Sequence, residues 1–285
     1  NAGGRVGQSD LGVRLLSTAD PEEAIGLAQR LDDFNTQRRA IEADVQEEAM
    51  RQVELGLAKQ NALGPFILQA GKGWHAGVIG IVAGRLKDKY HRPSFVIAID
   101  EDGMGKGSAR SVSSVDIGRL VAGAVDLKLI EAGGGHAMAA GLSLSEDKLA
   151  EFENAFQAQV ARSVSTDDLQ AKLVTDGSLE PQQISMHTAE LLRDAGPWGQ
   201  LFPEPCFQGD FRIVQQRIVG EKHLKLVLSP SNQPEIAIDA IWFNIDTARW
   251  PNHQAEIVHC VYRLDINEFR GVENLQLMVQ HLQAG

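Results

Sequence analysis

Residues 133–141 read GGGHAMAAG, and the rest of the chain is organised around this stretch. Three consecutive glycines let the backbone bring its N–H groups close to an anion, because no Cβ blocks the approach. His136 follows at once and can donate a hydrogen bond or, when protonated, add positive charge. The stretch therefore predicts a phosphate-recognition loop, with a helix or strand packed closely behind its small residues.

Strands and helices alternate on both sides of this loop. Residues 94–100 (SFVIAID) read as a buried strand, and Asp102-Gly103 follows as a hairpin turn. Asp116 is a helix N-cap, and the small residues of 77–84 (GVIGIVAG) indicate a helix that packs tightly on a sheet. Such alternation is typical of an α/β domain.

A long helix precedes this domain. Asp20-Pro21-Glu22-Glu23 is a strong helix start, and apolar residues then recur at helical spacing until Gly64-Pro65. About forty residues at 1.5 Å each span roughly 60 Å. Because that length exceeds one small domain, we expect a helix that connects two domains.

Beyond about Ser165 the pattern changes to short alternating strands, punctuated by turn residues. Five strands are predicted, at 210–219, 224–229, 235–243, 256–264 and 275–282. This density is typical of a small closed barrel such as an OB-fold. The predicted fold is therefore an α/β domain plus an all-β OB-fold domain, joined to a long N-terminal connecting helix.

Charge and composition limit the classes of function. The net charge of −11 argues against a protein that coats nucleic acid through bulk electrostatics. Residues 64–145 nevertheless carry a net charge of +2, whereas residues 1–63 carry −4 and residues 146–285 carry −9. Any contact with a polyanion should therefore be local and should involve the α/β domain.

The remaining composition indicates an ordinary cytoplasmic protein. No apolar run approaches a membrane span, and two cysteines, Cys206 and Cys260, are too few for a disulfide scaffold. The first methionine is Met50, and Asn1 stands inside a glycine-rich phrase. We therefore expect a piece of a longer protein.

Three places in the α/β domain concentrate polar chemistry: Trp74-His75 at a predicted helix N-terminus, Ser108 and Arg110 on a strand, and His136 beside the glycines. An indole can stack on a base, while an arginine and a serine hydroxyl can bind a phosphate. The combination suits a phosphodiester strand better than an isolated anion. Capping by His75 and a surface ion pair for Arg110 remain open alternatives.

The predicted barrel carries a second, weaker cationic cluster. Arg212, Arg217, Lys222 and Lys225 lie on two strands joined by a turn. OB-folds bind single strands with cationic and aromatic groups. The aromatic residues that could stack, or could belong to the core, are Phe207, Phe211, Trp242 and Phe243.

A reaction centre is not evident from the residues themselves. Zinc or manganese needs three or more converging ligands, and neither an H-x-x-x-H nor a D-H-H motif is present. A Ser-His-Asp triad can be drawn from Ser108 and His136, but no aspartate is singled out. The residues alone support binding.

Several phrases in the right order, spread over nearly the whole chain, resemble the RecJ family of single-strand-specific 5′→3′ DNA exonucleases, in the DHH phosphoesterase superfamily. They are NAGGRVG, DPEE with LDDFNTQRRAIE, GWHAGVIGIVAGRL, GKGSARS, GGGHAMAAG, and GPWG followed by PEP. The resemblance implies four parts: 1–20, the end of a DHH catalytic domain; 21–63, the connecting helix; 64–164, a DHH-associated α/β domain; and 165–285, an OB-fold-like domain.

The resemblance also implies roles for individual residues. Gly134, Gly135 and His136 would line the path of the strand with Ser108 and Arg110, and His136 would act as a catalytic residue by steadying charge on the scissile phosphate. The resemblance adds Arg5 near the entrance for the 5′ end, and Trp74 and His75 as residues that shape the groove. Arg217, Lys222 and Lys225 remain candidate contacts of the barrel, predicted from their place on its strands.

The family's nuclease centre holds Mn²⁺ or Mg²⁺ in its DHH domain, whose motifs this chain lacks, so the resemblance implies no bound metal here. It implies single-stranded DNA as the ligand and a role in DNA repair and recombination. Other DNA-repair proteins are open as partners, and no membrane is involved. Two alternatives stand beside this hypothesis: a single-strand-binding module without catalysis, and a phosphoesterase for short oligonucleotides.

Overall fold

The computed structural model describes residues 2–60, 62–165, 167–199 and 201–285, so Asn1 of the NAGGRVG phrase lies outside the described residues. The chain forms two compact units, Asn1–Ala171 and Lys172–Gly285. Each unit is described by itself below.

The first unit begins with three helices, α1 (Gly3–Val6), α2 (Leu11–Ser17) and α3 (Pro21–Gln60). The long connecting helix is confirmed, with 40 residues. In the glycine-rich phrase at the start of the chain, residues 3–6 form a helical turn. A Cβ on Gly3 would lie 2.7 Å from the Gln8 carbonyl oxygen, so the glycine allows a turn too tight for a side chain.

A five-stranded sheet forms the body of this unit, with strand order β1-β2-β3-β5-β4. Strands β1 and β2 are parallel, and the other neighbours are antiparallel. The elements in chain order are β1 (Ile67–Lys72), α4 (Ile79–Tyr90), β2 (Ser94–Ile99), β3 (Met104–Arg110), α5 (Ile117–Asp126), β4 (Ala132–His136), β5 (Ala139–Ser145) and α6 (Leu149–Ser163). The predicted α/β architecture is confirmed.

The two faces of this sheet pack against different helices. Strand β2 is buried on both sides, as its continuous apolar sequence predicts. Its residues Phe95 and Ile97 join the core beneath α5 and α6, whereas Val96 and Ala98 join the core beneath α3 and α4. Strand β3 continues this alternation, so that Lys106, Ser108 and Arg110 lie on the α4 side.

The GGGHAMAAG stretch at residues 133–141 is a β-hairpin and not the predicted loop. Strands β4 and β5 pair antiparallel, and Ala137 and Met138 connect them. Two of the three glycines serve packing: a Cβ on Gly133 would lie 2.6 Å from Val121, and one on Gly135 would lie 2.3 Å from a backbone oxygen of β5. Tertiary pairing has here overridden the low strand propensity of glycine.

The second unit is a closed five-stranded barrel with strand order β10-β8-β7-β6-β9, which confirms the OB-fold prediction. Helix α7 (Met186–Ala195) precedes it, with Ser185 as its N-cap. The strands are β6 (Phe207–Val219), β7 (His223–Pro230), β8 (Ile238–Trp242), β9 (Ile257–Phe269) and β10 (Val272–Ala284). Within the described residues, no helix is long and apolar enough to cross a membrane.

Candidate nucleic-acid interface

A pocket of about 460 Å³ opens on the α4 side of the α/β sheet. Three cationic side chains and two serines line it, namely Arg5, Lys106, Arg110, Ser108 and Ser143. Glycines of β4 and β5 form part of its floor, and the start of α4 forms one wall. The structure thus brings Arg5 of α1 together with Ser108 and Arg110 of β3, which lie more than a hundred residues away in sequence. We call it the phosphate pocket because its donors and positive charges suit that anion.

The floor of this pocket belongs to a flat surface built from three cross-strand rows. Side chains that are directly opposite in an antiparallel pair share a face of the sheet. The rows across β3, β5 and β4 are Lys106–Ser143–Ala132, Ser108–Gly141–Gly134 and Arg110–Ala139–His136. We call these nine positions the polar sheet face.

The middle row of the polar sheet face has no side chain larger than a serine. Gly134 has no heavy atom within 4 Å of the place where its Cβ would stand, so it faces open space. The row therefore forms a shallow trough between the side chains of Lys106 and Arg110. At β5 and β4 this trough leaves room for an extended backbone, whereas helix α4 packs over Ser108 at its other end.

Arg110 is held in place by its own strand. Its Nη1 donates hydrogen bonds to the Ala109 carbonyl oxygen at 2.8 Å and to Ser108 Oγ at 3.2 Å. Burial lowers the pKa of Arg110 from its ordinary value, and the nearby positive charge of Arg5 lowers it further. The guanidinium stays charged at neutral pH, because an arginine pKa starts above about 12.

The positive charges at this pocket lack carboxylate partners. In the described ranges, Arg5, Lys106 and Arg110 form no ion pair with any Asp or Glu. Like charges that converge without a counter-ion repel one another, and a bound anion would remove that repulsion. The surface ion pair considered for Arg110 is therefore absent among the described residues.

Arg5 reaches the pocket from the turn that precedes α4. Its Nη1 donates to the Gly77 carbonyl oxygen at 3.1 Å. A Cβ on Gly77 would lie 2.1 Å from the Arg5 carbonyl oxygen, so only glycine permits this close approach of the two backbones. His75 belongs to the same turn, and its Nδ1 accepts a hydrogen bond from the Gly77 N–H at 3.0 Å. The helix begins at Ile79, so the placement of His75 at the helix N-terminus is wrong by one turn.

Gly80 sets the distance between helix α4 and the polar sheet face. A Cβ at this position would lie 3.0 Å from Ser108 Oγ and 3.1 Å from Arg110 Nη2. The prediction of close helix–sheet packing through small residues is thus confirmed for Gly80. Gly84 has no heavy atom within 4 Å of its Cβ position, so the same argument fails there.

Trp74 does not offer a face on which a base could stack. Its ring is 8% exposed and packs over Gly71, in the core beneath α3 and α4. The indole Nε1 donates to Glu48 Oε2 at 2.9 Å. The stacking prediction is therefore wrong, because a buried indole satisfies its N–H within the protein.

The barrel carries its cations on the outer surface. Arg217 of β6 stands opposite Lys225 of β7, and Lys222 lies in the turn between them. Lys225 Nζ is 3.2 Å from Asp239 Oδ2, so its charge is already balanced within the barrel. Arg217 and Arg212 have no carboxylate partner among the described residues. The sequence could not show this difference between the cations.

The aromatic residues of the barrel divide between core and surface. Phe207 and Phe211 are buried against Tyr262, so they cannot stack on a base. Phe243 is 45% exposed and its ring centroid lies 5.0 Å from that of His223. The exposed Phe243 therefore retains the stacking role that the sequence left open.

Family models and relatives agree on the two units. A model described as the DHHA1 domain matches residues 63–162, and one described as the RecJ OB domain matches residues 175–281. Proteins described as "Single-stranded-DNA-specific exonuclease RecJ", from Dickeya dadantii and Escherichia coli, are each 42% identical over 99% of this chain. This chain belongs to the RecJ family.

The RecJ-family chain spans about half the length of the curated relatives it matches, 49% in both cases. A crystal structure of RecJ from Thermus thermophilus with Mg²⁺ superimposes with a TM-score of 0.78 at 24% identity, over 99% of this chain and 42% of that one. A structure of the same protein with Mn²⁺ gives 0.77, over 39% of its chain. At this level of identity the likeness establishes the fold.

Those two structures are of complexes with Mg²⁺ and Mn²⁺. In the described part of this chain, no group of three or more His, Cys, Asp or Glu side chains could hold a metal ion. The functional groups at the phosphate pocket are cations and hydrogen-bond donors.

Two residues that line the phosphate pocket, Lys106 and Gly80, were not among the site residues predicted from the sequence. Lys106 shares a face with Ser108 and Arg110, and the alternate spacing of these three residues on a predicted strand was the available signal. Gly80 contributes only because the absence of a side chain leaves room for Ser108 and Arg110. By contrast, the predicted residues Gly134, Gly135 and His136 are exposed on the edge strand and do not line the pocket itself.

Proposed function

We propose that this chain is the part of a RecJ-like 5′→3′ exonuclease that binds and positions single-stranded DNA, in an enzyme that serves DNA repair and recombination. One observation carries the proposal: Arg5, Lys106 and Arg110 line one pocket with Ser108, and none of the three cations has a carboxylate partner among the described residues. Arginine and serine donors with uncompensated positive charge favour a phosphate oxygen. The names of the family's curated relatives supply the ligand class, single-stranded DNA.

The polar sheet face suits a backbone of successive phosphates. Contacts with phosphates position a strand without reading its sequence, which is the behaviour expected of a nuclease that must degrade any sequence. The trough of the middle row lets an extended strand approach the donors. The local positive charge explains how a chain with a net charge of −11 can hold a polyanion.

The barrel supplies a second surface for the same ligand. Arg217 and Lys222 are free of carboxylate partners among the described residues, and the exposed ring of Phe243 lies 5.0 Å from that of His223 in β7. Cationic groups that follow the backbone and aromatic groups that stack on bases are the usual elements of single-strand binding by OB-folds. Lys225 contributes less, because Asp239 neutralises it.

Hydrolysis is proposed to depend on metal ions held by the part of the relatives that this chain does not match. Mn²⁺ or Mg²⁺ would activate the attacking water and stabilise the leaving oxygen there. Within this chain, His136 would donate a hydrogen bond to the scissile phosphate as charge develops on it. We expect this chain alone to bind single strands without cleaving them.

The test compares two arginines that differ only in their surroundings. Arg110→Ala removes a charge from the phosphate pocket, whereas Arg162→Ala removes one from α6 on the opposite side of the sheet. Fluorescence anisotropy with a labelled single strand should show about tenfold weaker binding for Arg110→Ala. The slope of log affinity against log salt should also become shallower by about 0.7. Arg162→Ala should resemble the unmodified chain.

Equal losses for the two variants would contradict a phosphate site at Arg110. The claim about catalysis is tested with the same labelled strand and Mn²⁺. If the 285-residue chain shortened the strand from its 5′ end, the proposal that its metals lie elsewhere would be wrong.

A further inference from the structure

A second pocket, of about 390 Å³, lies directly beside the phosphate pocket. It occupies the carboxyl ends of the parallel strands β1 and β2, where ligands of α/β sheets commonly bind. Ala76 and Lys106 line both pockets, so the two cavities are adjacent, and we refer to them together as the groove. We call this second cavity the end pocket.

The walls of the end pocket are largely apolar. Ile99 closes strand β2, Met104 opens strand β3 with 37% of its surface exposed, and the edge of Trp74 contributes from below. A volume near 400 Å³ falls within the range of pockets that enclose small organic ligands, about 300–1,000 Å³. These walls suit a flat, uncharged ring.

Charges of both signs line the rim of the end pocket: Lys72, which pairs with Glu146 at 2.9 Å, and Lys106 lie there together with two carboxylates. Asp100 and Glu101 line it. Asp100 Oδ1 accepts hydrogen bonds from the backbone N–H groups of Asp102 at 3.1 Å and Met104 at 2.8 Å, which fix this carboxylate in position. Glu101 has no side-chain partner among the described residues. The Glu101 carboxylate can therefore accept a hydrogen bond from an amino group of a ligand.

We propose that the end pocket receives the base of the nucleotide whose phosphate lies in the phosphate pocket. The proposal rests on the proposed function and deepens it. The groove then orients a bound nucleotide, with its phosphate at Arg5 and Arg110, its backbone beside Lys106, and its base beside Met104 at the end of strand β2. Bases that carry an exocyclic amino group, adenine, cytosine and guanine, bind better than thymine, because only they present an amino group to Glu101.

An abasic scan of a short 5′-phosphorylated single strand tests this placement. One residue at a time is replaced by an abasic sugar, so that the phosphates are unchanged and a single base is missing. Loss of the base that fills the end pocket should weaken binding roughly tenfold, and the other positions should change it much less. A scan without any such position, in a chain that binds the intact strand, overturns the proposal.

Variants locate the base within the groove. Met104→Ala should reduce the difference between the intact strand and the sensitive abasic strand, and Glu101→Gln should remove the preference for an amino-bearing base at that position. Asp102→Asn is the matched control, because Asp102 belongs to the same turn but does not line the pocket. Unchanged behaviour of both Met104→Ala and Glu101→Gln contradicts the proposal.

The same measurements separate this inference from the proposed function. If Arg110→Ala weakens binding and the abasic scan is flat, the phosphate pocket stands and the end pocket is excluded as a base site. If Arg110→Ala has no effect on any strand, the proposed function itself fails, whatever the scan shows.

Discussion

At the scale of single residues, Gly80 shows how an absent side chain shapes the site. The helix α4 approaches β3 closely enough that a methyl group at Gly80 would press on Ser108 Oγ and on the guanidinium of Arg110. Both contacts are near 3 Å, which is tighter than ordinary packing. The neighbours are ends of side chains, so they can shift without unfolding the unit. The function should therefore suffer more than the fold.

We expect Gly80→Ala to weaken single-strand binding several-fold, because it displaces Arg110 and Ser108 from their present positions. Gly84→Ala is the matched control on the same helix, since its added methyl group meets no atom within 4 Å. It should leave binding unchanged and raise the free energy of unfolding by up to about 1 kcal/mol through helix propensity. Anisotropy titrations and thermal unfolding of both variants check the pair. Identical binding by the two would contradict the role given to Gly80.

Trp74 provides the opposite test, of a residue that matters more for stability than for binding. Trp74→Phe removes the hydrogen bond to Glu48 Oε2, and the free energy of unfolding should fall by about 1–3 kcal/mol, because that half-buried carboxylate oxygen loses its donor. Phenylalanine keeps an apolar ring at the wall of the end pocket, so the affinity for single strands, measured on the folded variant, should change much less than it does for Arg110→Ala. A marked loss of affinity would restore the stacking role that the buried ring argues against.

The residue scale also shows what sequence could and could not predict. Ser108 and Arg110 were predicted as phosphate ligands because both are donors on one predicted strand. The buried Trp74 bonds to Glu48, which is 26 residues away on helix α3, so no local sequence pattern predicts its position. The pairing of Lys225 with Asp239 likewise depends on the register of β7 and β8.

At the scale of elements, hydrophobic periodicity predicted helices and strands correctly, whereas glycine content led to the wrong prediction of a loop. The long α3, the buried β2 and the five barrel strands follow their apolar patterns closely. The β4–β5 hairpin was read as a loop, since three glycines disfavour a regular element. Helix α5 supplies the missing stabilisation: its Gly118 would place a Cβ only 2.9 Å from the Gly135 carbonyl oxygen, so helix and strand are in backbone contact.

The junction of α2 and α3 should respond to pH. Hydrogen bonds from Thr18 and then Arg14 lower the pKa of Glu23 below its ordinary value. A carboxylate with a lowered pKa stabilises the fold above its unfolded pKa of about 4.3, and this contribution disappears as the pH falls through the folded value. Glu23→Gln should therefore lower the melting temperature near neutral pH.

The difference between Glu23→Gln and the unmodified chain should vanish in strong acid, where both side chains are uncharged. Glu22→Gln is the control, because Glu22 is exposed on the same first turn and only its backbone N–H makes a bond there, to Asp20. Thermal unfolding followed by circular dichroism at several pH values measures the effect. A difference that persists unchanged in acid would argue against the charge of Glu23 as its cause.

At the scale of the whole molecule, the chain has two separate cationic surfaces on an acidic background. The phosphate pocket belongs to the first unit and Arg217 to the barrel. Two surfaces on one chain bind a common ligand more tightly than either alone, provided that the ligand reaches both. Strand length should therefore decide whether the barrel contributes.

We expect Arg217→Ala to weaken binding of long single strands and to leave the shortest bound strands unaffected, while Arg110→Ala weakens both. Lys225→Ala is the control, since Asp239 already neutralises that lysine. Affinities measured over a series of strand lengths check this expectation. An equal effect of Arg217→Ala at every length would indicate that the two surfaces do not share a strand.

The exposed edge of the sheet at β4 has a consequence for the behaviour of the protein in solution. An edge strand leaves alternate N–H and C=O groups without a partner strand. Charged side chains usually protect such an edge, but β4 has only alanine and glycine before its last residue, His136. The edge of another protein molecule can form hydrogen bonds with those groups. A nucleic acid bound across this edge would block such strand pairing, and the concentrated protein would then self-associate less when the nucleic acid is bound.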